Sequence, residues 1–186
     1  MKRMIRAVLL LVFCAVASAR TITIEPASNT TSVGGALNFA VQVTGVSDLY
    51  AYQFDLSFGP AVLSIMNVTE GGLLPSGGST VFFPGAINNV SGTLTLTAGS
   101  LQGPVPGVSG RGTLAMILFT GVGLGASPIT LSNVVLLDSA GRDIAGTAIQ
   151  NGSVSVVPEP TSMVLFGCGV LGGLIVRAFR GSSHLS

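Results

Sequence analysis

The chain has 186 residues, room for one ordinary domain, of which 48% are apolar and only 8% charged, with a formal charge of +1. Much of that bias sits in two terminal segments: residues 20–157 between them hold three arginines against six carboxylates, a formal −3, and no lysine. An acidic, lysine-free surface excludes the phosphate-neutralising footprint of a nucleic-acid binder.

The chain opens MKRMIRAVLLLVFCAVASA, with Lys2, Arg3 and Arg6 ahead of an unbroken apolar run at 7–17 and the small residues Ala17, Ser18 and Ala19 behind it. This order predicts a secretory signal peptide over 1–19, cut by signal peptidase after Ala19, with Arg20 the first mature residue. The apolar run is too short for a lasting membrane span, and Phe13 before Cys14 is too bulky for a lipoprotein cleavage site. The other cysteine is Cys168, near the far end, so residues 20–157 contain none. An exported domain without disulfides favours a bacterial envelope or surface protein over a small stapled eukaryotic one.

From residue 36 onward the pattern reads as strands. In ALNFAVQV, Leu37, Phe39, Val41 and Val43 fall on one face and Asn38 and Gln42 on the other. DLYAYQFDLSF places Tyr50, Tyr52, Phe54, Leu56 and Phe58 opposite Gln53, Asp55 and Ser57, and the Gly59-Pro60 corner ends it. AVLSIMNVTE, TVFF, GTLTLTA, SPITL and NVVLLD supply further extended runs, and TLAMILF, apolar on both faces, reads as a central strand. Glycine and proline turns separate them, and no stretch carries a capped helical stripe. The expectation is an all-β domain, a jelly-roll β-sandwich of about nine strands over 20–156. A helical signal peptide and a C-terminal transmembrane helix are expected to flank it.

SVGGALNFAVQVTGVSDLYAYQFDLSFGPAVLSIMNVTEGGLL, followed by GRGTLAMILFTGVGLGASPITLSNVVLLDSAGRDI, resembles the cohesin domain family over nearly all of residues 20–156. The likeness lies in core and turn positions; Gly59 stands where the family has an aspartate before the proline. The resemblance implies a nine-stranded jelly-roll sandwich, kin to carbohydrate-binding modules, that binds dockerin modules in polysaccharide-degrading assemblies.

The chain closes with VPEPT at 157–161, an apolar run at 161–176, and a basic end at 177–186 with Arg177 and Arg180. Sixteen helical residues at ~1.5 Å each span about 24 Å against a hydrocarbon core of about 30 Å, so this transmembrane helix is short, with the arginines able to snorkel. Basic residues after the run leave its end in the cytoplasm and the β domain outside. Such a tail is either an ordinary anchor or an address read by another protein. Its order of Pro-Glu-Pro, apolar helix and arginines is similar to the PEP-CTERM sorting signal of Gram-negative bacteria. That resemblance implies recognition of Pro158, Glu159 and Pro160 by an exosortase in the inner membrane, removal of the tail, and delivery to the cell surface or extracellular matrix. Both prolines would hold the segment extended, with Glu159 as a charged handle.

Catalysis finds little to work with. The single histidine, His184, lies beyond the arginines, so residues 20–157 offer no Ser-His-Asp, Cys-His or histidine metal arrangement. No cofactor is expected; Asp138 and Asp143, flanking the turn at 139–142, are candidates for Ca²⁺ ligation or simply a hairpin turn. Asp48 and Asp55 read as solvated strand residues. Tyr50 and Tyr52 are candidates for sugar stacking, or for the core they share with Phe54. The reading is therefore a non-enzymatic adhesion or assembly module for a dockerin-like or matrix protein. The alternative is a carbohydrate-binding module associated with exopolysaccharide or polysaccharide breakdown.

Overall fold

The computed structural model describes residues 20–159. The signal peptide expected at 1–19, with Ala17 and Ala19, lies outside the described residues, as do Pro160, the apolar run at 161–176, Arg177 and Arg180. Among the described residues no helix is long and apolar enough to cross a membrane.

The described chain forms eleven strands and one 3₁₀ turn, arranged as a β-sandwich. One layer runs β10 (Ala148–Gln150), β1 (Thr21–Glu25), the first half of β3 (Ala36–Phe58), β8 (Val108–Gly121) and β4 (Leu63–Glu70). The other runs from β5 (Thr80–Phe83) and β6 (Ala86–Asn88) through β7 (Thr93–Leu101), the second half of β3, β9 (Gly125–Asp138) and β11 (Gly152–Val157) to β2 (Ser28–Ser32).

The two runs expected at 36–43 and 48–58 are thus one strand, β3, that belongs to both layers. Buried positions are odd-numbered through Leu37, Phe39, Val41 and Val43, and even-numbered through Tyr52, Phe54, Leu56 and Phe58. The change of parity occurs where the register slips between Val43 and Ala51, with Gly45 and Asp48 at φ 71° and 58°. A period of two cannot change face without such an irregularity. Likewise 127–131 and 133–138 are one strand, β9, bent at Asn133 with φ 49°.

Phe39, Phe54 and Phe119 are fully buried, and the Phe119 ring meets Phe39 and Phe58 edge-on at centroid distances of 5.9 and 5.4 Å. Truncating any of these rings to alanine would cost about 3–5 kcal/mol. Tyr52 stacks parallel to Phe54 at 6.2 Å and reaches across the sandwich, donating a 2.6 Å hydrogen bond to the Leu114 carbonyl. Burial first, and the charge of Glu70 second, hold its pKa above the ordinary phenol value, so it stays a donor.

All strands run between two ends of the sandwich. One end gathers the turns at 33–35, 59–62, 89–92 and 122–124, where β11 also finishes; the other gathers 44–48, 71–79, 102–107 and 139–147.

Candidate functional site

The outer face of the β5–β7–β3–β9 layer has two transverse rows of side chains. Pairing aligns Val81, Ser100, Ala51 and Leu137 in one row and Phe83, Ala98, Gln53 and Val135 in the next. These residues line an open groove with a cavity volume of about 280 Å³. Its walls are large and apolar, with Val81 and Phe83 on β5 and Val135 and Leu137 on β9; Phe83 is 49% exposed. Its floor holds the small side chains Ala51, Ala98 and Ser100 together with the polar Gln53.

The floor rests on the core through Gly99. A Cβ there would lie 2.6 Å from Cε1 of Tyr52, so only glycine lets the tyrosine ring pass beneath β7. Asp55 borders the groove: Oδ1 accepts a 2.7 Å bond from the Leu96 amide and Oδ2 a 2.6 Å bond from Nδ2 of Asn133. Leu96 and Asn133 both hold left-handed backbone, φ 59° and 49°. Asp55 is therefore a brace between two neighbouring strands rather than a merely solvated residue.

The same correction applies to Asp48. Its carboxylate accepts the Gly107 amide at 2.7 Å and the Ser139 hydroxyl at 2.6 Å, joining two turns at the far end of the sandwich. The bond from Ser139, then that from Gly107, holds its pKa below the ordinary carboxylate value.

The residues proposed from sequence as ligand-binding scatter. Tyr52, 3% exposed, offers no stacking face, and only Tyr50 is half-buried, with its hydroxyl donating to the Gly103 carbonyl at 2.6 Å. Leu49, not Tyr50, takes the inward position, because the register slips between Leu49 and Ala51. The Asp138 carboxylate is engaged within its own turn: Oδ1 accepts the amides of Ala140 and Arg142, and Oδ2 pairs with Nε of Arg142 at 2.8 Å. Those bonds, the Arg142 amide first, lower its pKa. Asp143 instead lies by a separate small cavity beside Ile144 and Thr147. Among the described residues no three metal-ligating side chains gather. Pro158 and Glu159 are exposed just past the end of β11.

Of the residues at the groove, sequence singled out only Tyr52, whose ring passes beneath the floor, and none of the wall residues. The available signal was consecutive apolar residues in Val81-Phe82-Phe83 and in Val134-Val135-Leu136-Leu137, which put apolar groups on both faces of their strands.

A model of the cohesin domain family matches residues 22–156. Among solved structures, the second type II cohesin module of the ScaA scaffoldin of Acetivibrio cellulolyticus is 20% identical at a TM-score of 0.64, over 77% of this chain and 94% of that one. A non-cellulosomal cohesin of Archaeoglobus fulgidus is 19% identical at 0.60, over 78% and 96%. A type I cohesin–dockerin complex of Clostridium thermocellum gives 15% at 0.59, over 75% and 99%. No curated protein matches the sequence.

Proposed function

The chain belongs to the cohesin domain family, and we propose that it is a non-enzymatic, exported binding module whose β5–β7–β3–β9 face holds a protein partner of dockerin type. The observation that carries this reading is the groove itself: apolar walls on β5 and β9 above a floor of Ala51, Ala98, Ser100 and Gln53, with no charged side chain in its lining. Apolar side chains in a preformed depression give a partner's aliphatic or aromatic anchors a place to desolvate. Relatives solved as complexes with dockerins support the choice of partner class. A sugar-stacking role is not favoured, since Tyr52 is buried and Tyr50 is bonded to Gly103.

For placement in the cell, the reading is export by the signal peptide, anchoring through 161–176, and exosortase sorting to the surface or matrix of a Gram-negative bacterium. The accessible Pro158 and Glu159 directly beyond β11 support it, being within reach of a membrane enzyme.

Titration calorimetry of the mature protein against a panel of dockerin modules tests the binding reading. One or more should bind saturably, and Phe83→Asp or Val135→Asp should weaken that binding by about thirtyfold, the ~2 kcal/mol of an interface hot spot. Both variants should keep the wild-type melting temperature, because exposed positions away from caps and networks tolerate substitution. Affinity indifferent to both substitutions would move the partner off this face.

A further inference from the structure

We propose that the end of the sandwich from which the chain continues past Val157 is a membrane-contacting surface, seated on the lipid headgroup layer while the C-terminal run is in the bilayer. This rests on the anchoring read from the sequence of 161–176.

Charge is divided between the two ends of the domain. Arg20, Asp48, Arg111, Asp138, Arg142 and Asp143 all stand at the end where β1 begins and β9 finishes. The opposite turns, 32–35, 59–62, 88–92 and 121–125, contain no charged residue. They expose apolar side chains instead: Val33, Val90, Val122 and Leu124, with Val157 beside them, Val90 at 91% and Leu124 at 58%.

These turns form one surface. The Gly34 amide donates to the Gly121 carbonyl at 2.8 Å, the Val122 amide to the Val62 carbonyl at 2.8 Å, and the Phe58 amide to the Gly92 carbonyl at 2.9 Å. Val157 pairs with Ser32 on β2. A solvated turn does not ordinarily present aliphatic groups on so many adjoining loops, and an apolar rim of uncharged turns, with Glu159 on the connecting segment just beyond Val157, suits the interfacial zone of a bilayer.

Connectivity supplies the occupant. Four residue steps from Val157 to Thr161 span at most about 14 Å. The headgroup layer on each side of the hydrocarbon is itself about 6 Å deep, so an apolar run in the bilayer holds this end against it. Strands rising from that end carry the groove away from the lipid. Gln53 and Ala51 lie five and seven residues up β3 from Phe58, or about 17–23 Å at ~3.3 Å per residue. A partner can therefore reach the groove on anchored protein.

The chain has no tryptophan, so a single introduced indole reports one place. The mature chain, residues 20–186, carrying Leu124→Trp, or Val122→Trp as a second reporter, is reconstituted into phosphatidylethanolamine–phosphatidylglycerol vesicles with brominated acyl chains. Ala140→Trp marks the charged end. Floating vesicles should carry the protein, and the Leu124 and Val122 reporters should be quenched about twofold or more while the Ala140 reporter is not. Protein that floats but shows equal quenching at both ends overturns the contact and leaves the anchor standing. A blue-shifted but unquenched reporter at residue 124 overturns it too, by placing a second copy of the chain over this surface. Protein that fails to float removes the anchor and the contact together.

Discussion

Asp55 and Asn133 are joined by a 2.6 Å hydrogen bond from the asparagine Nδ2 to the carboxylate Oδ2, and the other oxygen of the same carboxylate receives the Leu96 amide. One side chain on β3 thus holds an irregular residue on each flanking strand, at the points where the pairing slips beside Asp55. Left-handed backbone at a leucine and an asparagine is tolerated because the carboxylate satisfies what it turns outward.

Asp55→Ala removes both acceptors and leaves Leu96 strained with an unpaired amide. The expected loss is about 1–3 kcal/mol in urea unfolding, since charge-assisted bonds exceed neutral ones. Asp55→Asn keeps one acceptor oxygen, and it should retain part of that difference. Partner affinity should fall more in the alanine variant, because the brace holds β7 under the floor of the groove and β9 at one of its walls.

Gly99 and Tyr52 form a second pair with unequal consequences. Gly99→Ala drives a methyl into the ring, and overpacking of this kind costs about 1–3 kcal/mol. Tyr52→Phe should cost less, about 0.5–1.5 kcal/mol, because the Leu114 carbonyl still accepts the Gly71 amide at 2.8 Å. The order of the two melting temperatures checks the assignment.

Acid sensitivity should track Asp48. Its folded-state pKa lies below the ordinary value of 3.8, so its bonds stabilise the protein above that pH. The contribution disappears as pH falls through the lower folded value. Melting temperature followed downward from about pH 5 should decline less steeply in Asp48→Asn than in the wild type, after allowing for the variant's lower starting point. Equal slopes would assign the acid response to other carboxylates.

Replacing Pro158, Glu159 and Pro160 by alanines should block tail removal in the native host. Wild-type protein should be shortened near Pro160 and leave the inner membrane, while the variant should keep its full mass there. Persistence of both forms at full length in the inner membrane would make the segment a plain anchor.

Where burial alternates strictly, the strands were legible in the residues. Phe54, Leu56 and Phe58 were expected inside and are inside, and β8 has the two-sided apolar character of its place between β3 and β4. The cohesin resemblance rested on those core positions, and the family match spans them. Strands β2 and β10 were not legible: SNTTS and AIQ have no buried alternation and are held through backbone pairing with β11 and β1. Such pairing leaves no mark in side-chain chemistry.

The groove was hidden for a related reason. Its walls come from β5 and β9 and its floor from β7 and β3, spread from residue 81 to 137 with Ala51 and Gln53 outside that interval, and only register aligns them. Side-chain periodicity by itself determined the all-β class and most of the inward residues, because burial acts on each strand locally through a period of two, while the family rested on the resemblance of the core and turn motifs. Tertiary structure alone decided where β3 changes layers, that Leu49 rather than Tyr50 points inward, that Asp55 is a brace and which apolar groups remain outside. Those outcomes depend on pairing between distant strands, which no local pattern encodes.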